Sequence, residues 1–450
     1  MADYIAAIDL GTSHLTGIVG EKNANGTFSI IACETVETDN CINRGMIVNC
    51  NNTAKHISDM ITKLESRLKG DFIDKIYVGV GGQSLRTIDH VETIEIAEGA
   101  SVTEADIEYM KEKCSKHKPD LVDVLGITPA VYYRDDQKVK KPIGVLCKQF
   151  EARYKLVIGR AMIRNTIQNS IESLEEKELA GIIVSPLALA DAVLSPNDKE
   201  LGCALVDFGA GVTSVSVFKD GDLQHLCVIP FGGKLITRDL TTLQLTEDKA
   251  EQLKKEKGRA NVQKEDENEH IQIEMEGADR EIKLSDLNAV IEGRAKEIIE
   301  NVCARINDTI EIKQLGAGIV IAGGASELGY LEELLTEKSN VQVRHALIQK
   351  TFVNDSDDLL GDPMYMMAIS LMLKGTKPCV SARDVITVEE GDGVTTAETG
   401  KINGGKRPFF GSKNPEDGSD KPPKKPRGGL QKKLKEIFTT NLFDEEEEEQ

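Results

Sequence analysis

Residues 4–20, YIAAIDLGTSHLTGIVG, contain an apolar run that stops at Asp9, a turn of small residues and a second apolar run. The same order returns at residues 203–221 as CALVDFGAGVTSVSVFKDG, where Asp207 takes the place of Asp9. Short apolar runs bounded by glycine-rich turns are typical of buried strands. We therefore predict two similar β-hairpins, one in each half of the chain, each with a carboxylate at the end of its first strand.

The small residues of the two turns predict a phosphate site. Successive backbone N–H groups in such turns form a concavity that favours anions, and glycine lets phosphate approach closely. A carboxylate beside phosphate needs a divalent cation between them, and Mg²⁺ usually keeps most of its waters in such a site. We expect Asp9 and Asp207 to orient a hydrated Mg²⁺ while the turns grip a triphosphate from both sides. Two ordinary hairpins are the alternative, which the recurrence of both features disfavours.

A third segment, IVIAGGASELGYLEELL at residues 319–335, predicts a buried strand, a small turn and an amphipathic helix. Close backbone approach at Gly323 and Gly324 suits a flat base or a ribose lying on the turn. Many αβ units share such a turn, so this segment supports the two hairpins without deciding the ligand.

Composition bounds the class of protein. The chain has 450 residues, 40% hydrophobic and 29% charged, which fits a globular protein of two or more domains. The net charge of −20 argues against binding to nucleic acid, which requires a basic surface. The nine cysteines form no C-x-x-C motif, so reduced thiols in a cytoplasm are the simplest account. We also expect no signal peptide and no transmembrane helix.

The chain alternates strand-like and helical runs up to about residue 375, which predicts α/β layers. Residues 86–163 and the highly charged residues 236–312 interrupt this alternation, and we interpret both as smaller inserted subdomains. Residues 391–429 are dense in Gly, Pro, Lys and Asp, and such a segment buries too little apolar surface to fold, so we predict a flexible tether.

The motifs D-x-G-T-S, V-D-x-G-A-G-x-T and A-G-G-A-S, in this order, resemble the phosphate-1, phosphate-2 and adenosine motifs of the actin, heat-shock chaperone and sugar-kinase superfamily. Within it, residues 4 to about 375 are similar to the FtsA family of bacterial actin-like cell-division proteins, on phrases such as VGVGGQSL, IPFGGKLITRDL and DPMYMMAISLML. The resemblance implies an α/β, actin-like two-lobed fold of duplicated ribonuclease-H-like domains. It also implies an inserted 1C subdomain and a disordered C-terminal tail that ends in an amphipathic helix.

The resemblance implies domain boundaries as well. They are subdomain 1A at 1–85, completed by 363–375; subdomain 1C at 86–163; subdomain 2A at 164–235, completed by 313–362; subdomain 2B at 236–312; a flexible linker at 376–428; an amphipathic membrane-targeting helix at 429–443; and an acidic tail at 444–450.

Residue by residue, the resemblance implies contacts to ATP and Mg²⁺. The positions are Asp9, Gly11, Thr12, Ser13 and His14 for phosphate 1; Asp207, Gly209, Ala210, Gly211 and Thr213 for phosphate 2; Gly232 and Gly233 near the γ-phosphate; Glu251 and Lys254 facing the ribose and adenine; and Gly323, Gly324 and Ala325 in the adenosine turn.

Two departures from the family pattern predict slow hydrolysis. His14 stands where the family commonly has lysine, and a histidine is mostly neutral near pH 7. Ser185 and Pro186 stand where actin carries a water-orienting glutamine. No other side chain is evident as a general base, so nucleotide binding is better supported than fast turnover.

The C-terminal segment LQKKLKEIFTTNLF predicts an amphipathic helix. Its apolar residues span an arc of about 140° at 100° per residue, and they are Leu430, Leu434, Ile437, Phe438 and Leu442. A short amphipathic helix with basic flanks on a tether is typical of an interfacial membrane anchor, and partner binding is the alternative. The acidic run at 444–449 should point into solvent.

Together these features predict an ATP-binding, actin-like scaffold that polymerises and links FtsZ to the cytoplasmic face of the cell membrane at the division site. The FtsA resemblance implies that the C-terminal peptide of FtsZ docks on residues 236–312, where Lys283 and Arg294 offer positive charge. It further implies contacts with other division proteins. The alternatives are a pilus-assembly actin homologue, a metabolic kinase and a chaperone of the same superfamily, none of which explains the tail together with the 1C insert.

Overall fold

The computed structural model describes residues 3–273, 280–354, 357–381, 387–390 and 393–396. The predicted membrane helix, the acidic tail and most of the predicted linker lie outside these ranges. Among the described helices, none combines the length and the apolar character needed to cross a membrane.

The first 80 residues form three antiparallel strands, a small hairpin, a helix and two more strands. The elements are β1 (Asp3–Leu10), β2 (His14–Lys22), β3 (Phe28–Glu37), β4 (Ile42–Asn43), β5 (Met46–Ile47), α1 (Cys50–Glu65), β6 (Phe72–Ile73) and β7 (Lys75–Val80). Strands β1 and β2 are the first predicted hairpin, with Asp9 opposite Thr16. Asn49 caps the N-terminus of helix α1, since its side chain accepts a hydrogen bond from the backbone N–H of Asn52. Its apolar face then covers the sheet.

Residues 86–160 form an inserted unit with its own apolar core. Its elements are β8 (Arg86–Glu95), α2 (Glu104–Ser115), β9 (Val122–Ile127), β10 (Val131–Arg134), β11 (Gln137–Val139) and β12 (Gln149–Arg160). A capping box between Thr103 and Asp106 starts α2. Met110 of this helix packs with Phe150 and Leu156 of the long strand β12. One helix thus packs on the strands of this unit.

Residues 162–201 return to the first sheet. The elements are α3 (Met162–Glu172), β13 (Glu178–Val184), α4 (Ser185–Val193) and α5 (Pro196–Leu201). Strand β13 runs parallel to β7 and completes a five-stranded sheet in the order β13-β7-β1-β2-β3. The predicted start of subdomain 2A at residue 164 is corrected here, because the apolar residues of β13 find their strand partner in the first sheet.

Residues 203–240 contain the second predicted hairpin. The elements are β14 (Cys203–Phe208), β15 (Thr213–Lys219), β16 (Asp222–Ile229) and α6 (Gly233–Leu240). Asp207 of β14 lies opposite Ser214 of β15, as Asp9 lies opposite Thr16 in the first hairpin. The two hairpins thus repeat one arrangement.

The charged segment that follows folds onto α6. Its elements are α7 (Glu247–Lys257), β17 (His270–Ile273), β18 (Arg280–Lys283) and α8 (Leu284–Asn307). Helix α8 turns Leu287, Ile291 and Ile299 into the second apolar core and leaves its charged residues outside. The charge of this segment is therefore the solvated side of amphipathic helices.

The chain then finishes the second sheet and crosses back to the first. The elements are β19 (Ile319–Ala322), α9 (Leu331–Ser339), β20 (Val343–His345), α10 (Asp357–Gly361) and α11 (Pro363–Lys374). The sheet runs β11-β10-β12-β8-β16-β15-β14-β19-β20, with β9 also paired to β12. The inserted unit joins it through the single pair of Arg86 and Cys227. Helix α11 packs on β1, β2 and α4, and so completes the first core.

The predicted linker begins too early. Residues 376–381 are packed on the first sheet: the backbone N–H groups of Thr376 and Lys377 donate to the Tyr77 hydroxyl at 3.1 and 2.9 Å, and Cys379 is fully buried. Strand β21 (Val380–Ser381) then pairs with β6. Further along, β22 (Thr387–Glu390) and β23 (Gly393–Thr396) pair as a hairpin within the predicted linker.

Candidate functional site

The turns of the two hairpins meet between the sheets. A Cβ atom added to Gly211 would lie 2.5 Å from the Thr12 hydroxyl oxygen, so no larger residue fits at this contact. The Thr12 hydroxyl accepts from the backbone N–H of Gly45 at 3.0 Å, which fixes the first turn against the β4–β5 hairpin. The structure therefore brings together the two turns that the sequence predicts to hold phosphate.

Asp9 and Asp207 lie half-buried at the ends of β1 and β14. Burial and, to a smaller extent, the nearby charge of Asp207 raise the pKa of Asp9 to about 7, although a hydrogen bond from the Leu10 N–H opposes this rise. Burial also raises the pKa of Asp207 to about 6. Two enclosed carboxylates near each other favour a bound cation.

The cation would have to be held mainly through water. Within the described ranges, no group of three or more His, Cys, Asp or Glu side chains converges to hold a metal ion. Two carboxylates beside a phosphate-binding turn are a donor set that suits Mg²⁺, which retains several waters. Asp9 and Asp207 therefore fit the predicted role through bound water.

Helix α6 begins directly against the second turn. The backbone N–H groups of Gly233 and Lys234 donate to the carbonyls of Gly209 and Ala210 at 3.0 and 2.8 Å. A Cβ at Gly232 would lie 2.6 Å from both of these carbonyl oxygens, so only glycine permits this approach. Thr213 is buried, and its hydroxyl donates a hydrogen bond to the Phe231 carbonyl at 2.8 Å. Its side chain thus bonds within the fold.

Glu251 and Lys254 of α7 form an ion pair at 2.6 Å beside the start of α6. The Lys254 ammonium also donates to the Thr237 hydroxyl at 2.9 Å and to the Gly233 carbonyl at 3.2 Å. Burial would raise the pKa of Glu251, but the hydrogen bond and charge of Lys254 outweigh it and lower that pKa. Burial lowers the pKa of Lys254. The pair is thus held at one wall of the site.

The adenosine turn lies against the second carboxylate. Gly323 has φ 85° and would place a Cβ 2.3 Å from a carboxylate oxygen of Asp207, so this position requires glycine. Gly324 faces open space, and Ala325 packs on Gly233. A cavity of about 180 Å³ opens beside Gly323, lined also by Ser326, Glu327, His345, Ala346 and Met366 among others. It lies at the carboxyl ends of β19 and β20, the usual place for ligands in α/β sheets.

His14 is held as expected for a neutral side chain. Its Nδ1 atom lies 3.0 Å from the Ser13 hydroxyl oxygen. Burial lowers the pKa of His14, and the charges of Lys255 and Lys234 lower it further. The first turn therefore lacks a positive charge of its own at this position.

Sequence reasoning missed Lys234, which lies between the two turns. Its ammonium donates to the Thr12 carbonyl at 3.3 Å, across the contact between the lobes. The signal was available, because this lysine directly follows the glycine pair.

At the β13–α4 junction, the Ser185 hydroxyl is buried beside Gly79 and has no hydrogen-bond partner in the described part of the chain.

The two predicted peptide-binding residues differ in their surroundings. Lys283 precedes α8, is exposed and makes no ion pair with the described residues. Arg294 is only 23% exposed and donates to Asp239 at 2.6 Å and to Glu297. The structure thus leaves Lys283 free for a partner, while Arg294 joins α6 to α8.

The predicted membrane residues lie outside the described residues. They are Leu430, Leu434, Ile437, Phe438 and Leu442.

The comparisons with known proteins agree with these motifs. The family description "Cell division protein FtsA" matches residues 204–370, and "SHS2 domain inserted in FTSA" matches residues 82–158. A cell division protein FtsA from Porphyromonas gingivalis is 32% identical over 408 residues, covering 89% of this chain and 83% of that protein. The chain belongs to the FtsA family. FtsA from Neisseria meningitidis serogroup B is 29% identical, covering 82% of this chain and 89% of that protein.

The fold also agrees with FtsA membership. The "PilM-PilN type IV pilus biogenesis complex" matches with a TM-score of 0.57 and 16% identity, covering 83% of this chain and 99% of that chain. At this identity the match shows the fold alone. The predicted actin-like α/β class is confirmed, and the SHS2 match of the FtsA family overlaps the predicted insert at 86–163.

Proposed function

We propose that this FtsA-family protein binds Mg·ATP between its two sheets. The observation that carries the proposal is the contact between two aspartate-bearing turns, with the Gly323 turn directly against Asp207. The turns offer backbone N–H groups to phosphates, and the carboxylates offer a site for hydrated Mg²⁺. Glu251 and Lys254 lie where a ribose and base extending toward the Gly323 turn would meet them.

Turnover of ATP should be slow. Ser185 and Pro186 begin α4 at the junction where a glutamine would be needed to orient a water. A serine hydroxyl reaches less far than a glutamine amide, and the Ser185 hydroxyl is turned toward Gly79. A phosphate-release assay on the purified protein should give far less than one turnover per second, well below the typical enzyme median of about 10 per second. Many turnovers per second would contradict this part of the proposal.

In the cell, the protein would polymerise at the cytoplasmic face of the membrane and tether the FtsZ ring there, as a peripheral protein. Membership of a family of cell division proteins supports this role, and the predicted amphipathic helix at 429–443 supports membrane attachment. A pilus-assembly function is the second candidate, because the PilM complex shares the fold. Identity of 32% to a division protein over most of the chain favours the first.

Flotation tests the cellular role directly. The full chain is mixed with anionic vesicles, a labelled C-terminal peptide of FtsZ and Mg·ATP, and then floated through a density gradient. We expect protein and peptide to rise together, and the peptide alone to stay below. Protein that remains at the bottom would contradict membrane attachment, whereas protein that floats without peptide would contradict the tethering of FtsZ.

A further inference from the structure

Lys234 is placed to reach both phosphate turns. It is the second residue of α6, and its backbone N–H donates to the Ala210 carbonyl at 2.8 Å, which fixes its main chain beside the second turn. Its side chain extends to the other lobe, where the ammonium donates to the Thr12 carbonyl at 3.3 Å. One residue therefore touches both halves of the site.

The present contact of the ammonium is weak and replaceable. The Thr12 carbonyl already accepts a shorter hydrogen bond, 2.8 Å, from the Thr38 hydroxyl. Loss of the 3.3 Å contact would therefore leave no unpaired carbonyl behind. The ammonium has three donors, and a neutral carbonyl is a poorer acceptor than a phosphate oxygen.

Lys234 also lacks a counter-charge. The neighbouring cations of this wall, Lys254 and Lys255, both pair with Glu251, at 2.6 and 3.4 Å. No carboxylate of the described residues lies within 4 Å of the Lys234 ammonium. An unpaired, half-buried ammonium beside an anion-binding turn is stabilised by a bound anion.

The position along the cleft indicates which part of the nucleotide Lys234 would meet. Lys254 is paired with Glu251 on α7, at the wall where the family resemblance expects the ribose and base. Lys234 instead reaches Thr12 in the opposite lobe, at the phosphate end. Mg²⁺ neutralises only half of the charge of ATP, so a further cation is needed at that end.

We propose that Lys234 is the cation that binds the terminal phosphate of ATP, its ammonium exchanging the Thr12 carbonyl for a γ-phosphate oxygen. The inference rests on the proposed binding of Mg·ATP. From the opposite lobe, the Lys234 ammonium supplies the positive charge that His14 does not bring to the first turn. ADP has no γ-phosphate, so Lys234 discriminates ATP from ADP.

The test compares the affinities of Mg·ATP and Mg·ADP by titration calorimetry in the full chain. Lys234→Met removes the charge and keeps the apolar stem, and Lys234→Arg restores a cation. Lys313→Met is the matched control, because Lys313 is exposed and precedes β19, at the end of the strand opposite to Gly323. We expect Lys234→Met to weaken Mg·ATP about tenfold or more and Mg·ADP less than about threefold. Lys234→Arg should retain most of the parent's preference for Mg·ATP over Mg·ADP. Lys313→Met should retain all of that preference.

The outcomes separate this inference from the proposed function. If the parent protein binds neither nucleotide, the proposed function fails and Lys234 has no such role. If the parent binds Mg·ATP but Lys234→Met keeps the parent's ratio of ATP to ADP affinity, only the inference is overturned. If Lys234→Met weakens the binding of Mg·ATP and of Mg·ADP equally, the inference is also overturned. If the methionine variant melts below the parent in circular dichroism, Lys234→Gln provides the same comparison.

Discussion

At the scale of the residue, Asp9 and Asp207 are carboxylates whose charged form is unfavourable in the fold but suits the proposed Mg²⁺ site. Each ends a buried strand, where water is scarce and the charged form of a carboxylate is disfavoured. Their pKa values, raised by burial to about 7 and about 6, report that penalty. In the proposed complex, a hydrated Mg²⁺ would supply the positive charge that offsets this penalty, so the charged carboxylates would be favoured only with the cation bound.

Asp207→Asn separates these two effects. The amide keeps the shape but removes the charge, so we expect Mg·ATP affinity to fall tenfold or more, equivalent to about 1.4 kcal/mol. Without nucleotide, the variant should melt no lower than the parent, because the buried charge is unfavourable there. Calorimetric titration and a thermal melt measure the two quantities. Unchanged affinity for Mg·ATP would remove Asp207 from the site.

Lys283 and Arg294 call for different experiments, because Arg294 pairs with Asp239 whereas Lys283 makes no ion pair within the described ranges. Lys283→Glu should weaken binding of the FtsZ peptide several-fold by reversing an exposed charge, with little change in melting temperature. Arg294→Glu places a carboxylate beside Asp239, so it should lower the melting temperature whether or not the peptide binds there.

Fluorescence anisotropy with the labelled peptide measures the first effect. Lys118→Glu, an equally exposed charge reversal in the inserted unit, is the control and should bind like the parent. Full peptide affinity in Lys283→Glu would exclude Lys283 from the docking surface.

At the scale of elements, a buried carboxylate joins the helix of the inserted unit to its sheet, beside the apolar core. Glu92 on β8 is 7% exposed and pairs with Lys113 of α2 at 2.6 Å and with His90 at 2.7 Å. The His90 ring lies against the His117 ring, with 4.1 Å between centroids and a tilt of 31° between the ring planes. Burial would raise the pKa of Glu92, but the hydrogen bonds from Lys113 and His90 outweigh it and lower that pKa below 4.5. The carboxylate thus fixes the helix on the sheet.

The sign of the shift determines the pH dependence. A lowered pKa in the folded state means that Glu92 stabilises the fold above the unfolded pKa of 4.5, and that this contribution is lost as the pH falls below it. Glu92→Gln should therefore lower the free energy of unfolding of the insert by about 1–3 kcal/mol at pH 7. The deficit should shrink below about pH 4.5.

Differential scanning calorimetry from pH 8 downward measures this difference. Glu108→Gln, on helix α2 of the same inserted unit but 72% exposed, is the control and should melt within a degree or so of the parent. A deficit of Glu92→Gln that grows on acidification would contradict the assignment.

At the scale of the whole molecule, the two sheets meet at one cleft. One face of β14 and β19 packs into the first core through Leu205 and Val320, and the other face into the second core through Val206 and Ile321. The second sheet is thus buried on both faces, which explains its continuous apolar runs. The carboxyl end of this double-sided layer carries Asp207 and Gly323, so the site sits where the cores join.

The predicted anchor acts on the molecule as a whole. Burying its five apolar side chains supplies several kcal/mol at about 25 cal/mol per Å², much of which the ordering of the helix offsets. A single tail should therefore bind reversibly, and a polymer that presents many tails should bind tightly. Phe438→Glu places a charge in the middle of the apolar arc and should release the protein from vesicles while ATP binding is unchanged.

Thr439→Glu is the matched control, because it adds the same charge outside the apolar arc. It should float nearly as well as the parent. If Phe438→Glu also floats as well as the parent, the segment is not the anchor, and partner binding becomes the better interpretation.

The sequence by itself determined the elements that depend on local pattern. The two hairpins, the strand–turn–helix at residue 319 and the inserted helix with its strands follow from apolar periodicity and from small residues at turns. The roles of Gly211, Gly232 and Gly323 were also predictable, since close approach to a backbone or ligand excludes a side chain. Similarity to the FtsA family then fixed the class of fold.

Only the tertiary structure decided which sheet each strand joins and which charges are free. Strand β13 pairs with β7, just over a hundred residues earlier in the chain, and local pattern does not specify such long-range parallel pairing. Residues 376–381 look like linker but are held by Tyr77 and by burial of Cys379. Lys234 and Arg294 read alike as basic residues on helices, yet Lys234 reaches the Thr12 carbonyl of the first hairpin turn and Arg294 pairs with Asp239. The environment of a charge is set by distant parts of the chain, so its function becomes visible only in the folded molecule.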